Sequence, residues 1–160
     1  MSVDTGAGTL PAGRVHAQVD VRGPRFVAWI TTAVLIVTLL TAAVSVPAAA
    51  VILGLQTVVF AVGTAAGPRR HPYGLAFAAL VAPRLGPVTE REPVPPLRFA
   101  QLVGFLFAAA GTVGFALGAP VVGLVATGFA LFAAFLNAAF GICLGCQIYP
   151  LVARFRRVPV

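Results

Sequence analysis

Residues 27–46 read VAWITTAVLIVTLLTAAVSV, a run without a single charged side chain. An α-helix rises about 1.5 Å per residue, so about 20 apolar residues cross the hydrocarbon layer of a membrane. Three further apolar runs follow, at 48–66, 99–119 and 121–148. None of the runs alternates polar and apolar residues as a transmembrane β-barrel would. The sequence therefore predicts an all-α integral membrane protein with four transmembrane helices.

The composition of the whole chain supports this class. Of its 160 residues, 59% are hydrophobic and 9% are charged, whereas soluble domains are about 45–50% apolar and about 25% charged. So few charged side chains cannot cover the surface of a water-soluble domain of this size, which excludes that class. A disordered chain is excluded as well, because disordered chains are poor in apolar residues. We expect a flexible tail over residues 1–24 and one membrane domain over residues 25–157.

The positions of the arginines predict the topology. All eleven basic residues are arginine, and the chain carries a net charge of +7. They precede the first run, lie between the second and third, or follow the fourth, while the connections around Pro47 and Pro120 are uncharged. The positive-inside rule then places both termini and the loop 67–98 in the cytoplasm of a multi-pass plasma-membrane protein. Anionic lipid head groups explain this basic border more simply than nucleic acid, which we do not expect as a partner.

The four helices are expected to form two hairpins that turn outside the cytoplasm, at Pro47 and Pro120. The hairpins resemble each other, because Arg25-Phe26 recurs as Arg98-Phe99 and Pro47 recurs as Pro120, both 73 positions later. This spacing indicates a parallel repeat about an axis along the membrane normal, although any two apolar hairpins with Arg-Phe anchors would look alike.

Small and polar residues within the runs predict how the helices pack. Glycines mark close helix contacts in membranes, and they could serve contacts within one chain or between two copies in a homo-oligomer. They lie in the third run and in the fourth, at positions 104, 111, 114, 118, 123, 128, 141 and 145. Gln56 and Asn137 are expected to face inward and form hydrogen bonds between helices. The runs hold no ionisable side chain of the kind that pumps require.

One motif indicates a chemical function. It is Cys143-Leu144-Gly145-Cys146, which contains both cysteines of the chain. A C-x-x-C pair can form a reversible disulfide or carry sulfur, so both residues are candidate catalytic thiols at the cytoplasmic face. We expect Cys146 to attack and Cys143 to resolve. One argument opposes this role: a pair near the end of the fourth helix would meet the negative end of the helix dipole, which disfavours a thiolate.

Two other interpretations of the cysteines remain open. Together with His71 in the loop, the two thiols could bind Cu(I) or Zn(II), although a closed zinc site needs a fourth ligand. They could also be inert, buried side chains. The main alternative to a thiol function is a membrane subunit or scaffold without catalytic activity. No cofactor is expected.

Five stretches of the chain together resemble a bacterial family called domain of unknown function 4395. They are Arg22-Gly23-Pro24-Arg25-Phe26, His71-Pro72-Tyr73-Gly74, Pro83-Arg84-Leu85-Gly86-Pro87, Arg98-Phe99-Ala100-Gln101 and the run from Leu136 to Cys146. The resemblance covers most of residues 20–157 and implies a small four-helix integral membrane protein without an assigned activity. Some members are encoded near thioredoxin-like or thiosulfate-sulfurtransferase proteins, which implies a soluble partner that handles thiols or sulfur.

Overall fold

The computed structural model describes residues 17–155, which form six α-helices and two short strands. In chain order, the elements are β1 (Gln18–Asp20), α1 (Arg22–Ala42), α2 (Val46–Ala66), α3 (Pro72–Ala76), a π-helical turn (Phe77–Val81), a 3-10 turn (Ala82–Arg84), β2 (Arg91–Pro93), α4 (Val94–Ala116), α5 (Pro120–Phe140) and α6 (Leu144–Phe155).

Four of these helices, α1, α2, α4 and α5, are long and apolar enough to cross a membrane. Large apolar side chains are exposed along them: Leu40 is 67% exposed and Leu117 is 79% exposed. A water-soluble bundle would bury such side chains, whereas lipid tails surround them at no cost. The architecture is that of a multi-pass membrane protein, as predicted.

The four long helices pack as a ring in which α1 contacts α2 and α5, and α4 contacts the same two helices. Their shared core is apolar and is built from Leu35, Ala49, Leu53, Phe60, Ala108, Phe115 and Ala130. Threonines reinforce the packing, since the hydroxyl groups of Thr57 and Thr112 lie 3.1 Å apart between α2 and α4. The helices are therefore held together by an apolar core and by this contact between threonine hydroxyls.

Prolines begin helices here, among them Pro47 and Pro120, at which the sequence led us to expect turns. Pro47 lies in the first turn of α2, behind Ser45, whose hydroxyl accepts the N–H of Ala48 at 3.4 Å. Pro120 is the first residue of α5, and Pro95 and Pro96 lie in the first turn of α4. A first-turn residue needs no N–H partner within the helix, so proline is tolerated there. Helices α2 and α4 consequently start earlier than residues 48 and 99.

The predicted fourth helix, 121–148, is two helices in the structure. Helix α5 ends at Phe140, and Gly141 adopts the left-handed conformation with φ 70°, its N–H donating to the carbonyl of Asn137 at 3.1 Å. Glycine adopts this conformation without the Cβ clash that other residues meet, so it ends helices readily. The chain then enters α6, which packs on the first turns of α4.

The described charged residues gather at one end of the bundle, where several bonds tie the chain segments together. Strands β1 and β2 pair antiparallel, with Val19 opposite Glu92. Arg22 forms an ion pair with Asp20 at 2.9 Å and donates to the carbonyl of Gly86 at 3.1 Å. We refer to this end, which includes β1, β2, α3 and α6, as the charged end. The turns 43–45 and 117–119 lie at the opposite end and carry no charge.

The predicted flexible tail, 1–24, differs from the structure at its C-terminal end. Residues 18–20 form a strand, and α1 begins at Arg22. Residues 1–16 of that tail lie outside the described residues, as do Arg14, Arg156 and Arg157, which contributed to the topology prediction.

Several of the predicted glycine contacts lie within the chain. Gly104 faces the ring of Phe60, Gly111 faces Leu53, and Gly114 and Gly123 bring α4 and α5 together. Gly128 and Gly118, by contrast, face open space, as does the helix-ending Gly141. Most of the glycine contacts therefore join helices of one chain.

Candidate functional site

The two cysteines are joined by a disulfide at the start of α6. Cys143 immediately precedes the first residue of the helix, and its Sγ accepts the backbone N–H of Cys146 at 3.3 Å. This is the position and the bond of an N-cap side chain. The sulfur of Cys143 therefore meets the positive end of the α6 dipole, which favours a thiolate.

This placement removes the physical argument that the sequence raised against thiol chemistry. That argument assumed one helix running through residue 148, with the cysteines near its C-terminus. Because Gly141 ends α5, the same residues stand at the N-terminus of a new helix. The left-handed conformation of a single glycine thus reverses the electrostatic environment of the pair.

Close packing holds the start of α6 in place. Gly145, between the two cysteines, is buried against α4. A Cβ at this position would stand 2.6 Å from the Cα of Ala100, so only glycine allows this approach. The rings of Phe99 and Tyr149 pack with centroids 6.0 Å apart, one turn further along α6.

Beside the disulfide lies a cavity of about 240 Å³, open to the surface at the charged end of the bundle. We call it the inner cavity. Its lining comes from β1, α1, the segment 68–78, α4, the last turn of α5, and Cys143. The polar groups in this lining belong to Asp20, Arg69, His71, Gln101 and Asn137. Cys143 and His71, singled out from sequence for different reasons, therefore share one cavity.

His71 is the most unusual of these groups because it is 1% exposed. Within residues 17–155, neither of its ring nitrogens has a hydrogen-bond partner, and the neighbouring Gln101 Oε1 has none either. Burial lowers the pKa of His71 to about 4, and the adjacent Gln101 side chain acts in the opposite direction. The imidazole is consequently neutral at pH 7, where one nitrogen donates and the other accepts.

The described charges in the lining are one carboxylate and one guanidinium, and each has a partner. The Arg22 side chain, through its hydrogen bonds, holds the pKa of Asp20 below its usual range. Arg69 donates to the carbonyl of Gln18 at 3.3 Å. The described part of the cavity wall thus carries no net charge.

Gln56 and Asn137, the two polar residues predicted to face inward, have different roles. Gln56 is 1% exposed, and it accepts a hydrogen bond of 2.8 Å from the hydroxyl of Tyr73, which lies on α3. Asn137 is half-buried and lines the inner cavity. Gln56 therefore anchors the loop segment 67–98 to the bundle, and Asn137 belongs to the site.

The weaker metal alternative finds no geometric support in residues 17–155. No three His, Cys, Asp or Glu side chains in this part of the chain are grouped so that they could hold a metal ion. Cys143, Cys146 and His71 do not form such a group, and the two sulfurs are bonded to each other.

The inner cavity was not predicted from the sequence, because it needs residues from distant parts of the chain. One signal was available: four of the five stretches that carry the family resemblance contribute to its wall. They supply Gly23, His71, Gly74, Ala100, Gln101, Asn137 and Cys143. The fifth stretch, 83–87, contacts Arg22 through the carbonyls of Gly86 and Pro87.

Comparison with known proteins agrees with the resemblance seen in the sequence. No curated protein and no solved structure matches the chain. One family model, described as a domain of unknown function (DUF4395), matches residues 19–154. This match spans the two strands, the four long helices and nearly all of α6. The chain therefore belongs to the DUF4395 family.

Proposed function

We propose that this protein exchanges thiols and disulfides with a soluble partner at the charged end of the bundle, through Cys143 and Cys146. The observation that carries the proposal is the position of Cys143 at the N-terminus of α6, with its sulfur accepting the N–H of Cys146. A thiolate is the reactive species in exchange, and a helix N-terminus stabilises it.

The two cysteines would have different roles in the exchange. A partner thiolate attacks Sγ of Cys146, forming a mixed disulfide and releasing Cys143 as a thiolate. A second partner thiol then attacks the mixed disulfide and displaces Cys146, so the partner dithiol becomes a disulfide. Two electrons and one proton pass to the Cys143–Cys146 pair, since the partner begins with one thiolate and Cys143 ends as one, and the reaction is reversible. Cys143 is the better leaving group because the helix dipole stabilises its thiolate.

The charged end would face the cytoplasm of a plasma-membrane protein, since arginines gather at that end. The partner would be a thioredoxin-like or sulfurtransferase protein that approaches the loop 67–98. Reporter fusions after Val160 and within the turn 43–45 test the orientation: we expect the first to be cytoplasmic and the second to be outside. The reverse pattern would overturn the cytoplasmic placement.

Trapping of mixed disulfides tests the exchange itself. Cys143→Ser leaves Cys146 without a resolving thiol, so we expect it to accumulate a mixed disulfide with a partner in cells. Cys146→Ser is the matched control, and we expect it to trap less because its remaining thiol faces the inner cavity. Purification under non-reducing conditions and mass spectrometry identify the conjugate. Absence of any conjugate from both variants would contradict the proposal.

Labelling of membranes tests whether the pair is chemically accessible. In inverted vesicles, a membrane-impermeant maleimide should label both cysteines after reduction and neither before. The double variant Cys143→Ser/Cys146→Ser provides the background. Retention of all partners and of the cellular phenotype in this double variant would instead favour a scaffold.

A further inference from the structure

We propose that the inner cavity binds the ring of a lipid-soluble quinone, and that this quinone reoxidises the reduced Cys143–Cys146 pair. The inference rests on the proposed thiol exchange, because a pair that has oxidised a partner must pass its two electrons onward. The site is the wall that Cys143 shares with His71, Gln101 and Asn137.

The size and lining of the cavity fit a ring of this kind. Its volume of about 240 Å³ is somewhat below the range of about 300–1,000 Å³ that drug-sized ligands occupy. Most of the exposed wall is apolar and includes Val27, Ala28, Phe77 and Leu97. Ligand sites commonly combine such apolar walls with a few polar groups that orient the ligand. The space suits one small ring system.

The unpartnered polar atoms are the strongest evidence for a ligand. Buried polar groups nearly always have a hydrogen-bond partner, and leaving one without costs about 1–3 kcal/mol. Among the described residues, both ring nitrogens of His71 and the Oε1 atom of Gln101 lack partners, and both residues contribute to the cavity wall. The three atoms are themselves buried, so a ligand reaches them only when these two side chains turn toward the cavity. A ligand that bonds to these atoms must present both an acceptor and a donor.

A quinone and its quinol provide these two groups in turn. A quinone carbonyl accepts from the N–H of the neutral His71, and a quinol hydroxyl donates to the free ring nitrogen or to Gln101 Oε1. A neutral imidazole suits both forms. Of the two charges in the described wall, Asp20 is paired with Arg22, and Arg69 donates to the carbonyl of Gln18. Because these two wall charges are opposite, an uncharged ligand is favoured over an anion.

The redox step balances without a further reactant. The thiolate of Cys143 and the thiol of Cys146 lose two electrons and form their disulfide. The quinone takes these electrons, the proton of the Cys146 thiol and one proton from water, and becomes the quinol. Cys143 faces the bound ring and Cys146 does not line the cavity, so the partner protein and the quinone approach different sulfurs.

The direct test uses the full-length protein in lipid nanodiscs, reduced with dithiothreitol, freed of reductant and kept anaerobic. Two probes are added separately: a short-chain benzoquinone and a short-chain naphthoquinone. We expect at least one to be consumed in a ratio of one quinone per two thiols, with recovery of the disulfide. Absence of consumption with both, while reduced thioredoxin still reduces the pair and oxidised thioredoxin still reforms it, would overturn this inference and leave the proposed thiol exchange intact.

A second measurement follows quinone binding to the disulfide form and does not depend on electron transfer. Ala78 lies on the cavity wall and Ala79 does not, although both are exposed residues of the same turn. We expect Ala78→Phe to weaken binding by on the order of tenfold, because the added ring occupies ligand space. Ala79→Phe should bind like the unchanged protein, and equal affinities in the two variants would contradict the site.

Removal of a hydrogen-bonding group tests the polar contacts. Gln101→Met keeps the length of the side chain and removes the amide, so we expect affinity for the quinone to fall by about 3–10-fold. The melting temperature without quinone monitors folding. An unchanged affinity in a folded Gln101→Met variant would show that the amide does not contact the quinone. If a different compound were extracted from the purified protein, that compound and not a quinone would be the ligand, which would overturn the inference.

Discussion

Gly145 lies so close to Ala100 that a Cβ at residue 145 would stand 2.6 Å from the Ala100 Cα. We therefore expect Gly145→Ala to push α6 away from α4 and to lower the free energy of unfolding by about 1–3 kcal/mol. Because the cysteines flank this glycine, the rate of disulfide reduction should change as well. Thermal unfolding in detergent and the rate of reduction by dithiothreitol are the two measurements.

Gly128→Ala is the matched control, because a Cβ at residue 128 meets no atom of residues 17–155 within 4 Å. Alanine is the better helix former by about 1 kcal/mol, so this variant should be as stable as the unchanged protein or more so. Equal stabilities of the two variants would show that the contact between α6 and α4 is looser than described.

The bond between Tyr73 and Gln56 predicts a second stability effect. Tyr73→Phe removes the hydroxyl that donates to Gln56 Oε1 at 2.8 Å, leaving a buried amide oxygen without a partner. We expect a loss of about 1–3 kcal/mol in the free energy of unfolding. Tyr149→Phe is the control, since no hydrogen bond of the Tyr149 hydroxyl is present among residues 17–155. Similar losses in both variants would exclude this bond as the cause.

Arg98 supports the end of α2 and gives a third prediction. Its guanidinium donates to the carbonyls of Thr64 at 2.9 Å and Ala65 at 2.6 Å, at the negative end of that helix. Arg98→Gln should lower stability by about 1–2 kcal/mol, whereas Arg70→Gln, at an exposed neighbouring position, should change it by less than about 0.5 kcal/mol. Unfolding in increasing SDS measures the stability of both variants. Equal losses in the two variants would contradict the specific role of Arg98.

The buried His71 predicts how stability depends on pH. Burial lowers the pKa of this imidazole from 6.5 to about 4, so the unfolded chain binds a proton first as the pH falls. Stability is therefore unaffected by His71 above about pH 6.5, decreases between pH 6.5 and 4, and reaches its full penalty below pH 4. Each unit of pKa shift corresponds to about 1.4 kcal/mol, which makes the total about 3 kcal/mol.

Unfolding of the unchanged protein and of His71→Gln at pH 7.5, 5.5 and 4.5 measures this effect. We expect the variant to lose less stability between pH 7.5 and 4.5, because glutamine does not titrate. Parallel decreases in the two proteins would assign the dependence on pH to other groups.

The membrane class and the number of long helices could be predicted from the sequence because they depend on local apolarity. The end of α5 could not be placed, because residues 141–149 continue the apolar run and one glycine inside such a run is a weak signal. The length of the predicted fourth helix, 121–148, did indicate a break, because 28 residues would make a helix of about 42 Å, longer than the hydrocarbon layer of about 30 Å.

The candidate site could be predicted only in part. The C-x-x-C motif is local in sequence, so Cys143 and Cys146 were recognised. The residues that line the inner cavity with Cys143 come from β1, α1, the segment 68–78, α4 and α5, and only the packing of these elements brings them together. His71 was considered for a metal and not for a cavity, since nothing around it in the sequence indicates that its ring is buried.

The apolar core of the bundle has a consequence for how the site works. Leu35, Leu53, Ala108 and Phe115 fill the space between the inner cavity and the far turns. This packed core separates the inner cavity from the uncharged end of the bundle, so a molecule that enters at the charged end and reaches Cys143 has to leave on the same side. A product that lingers there blocks the next molecule, so its release can limit turnover.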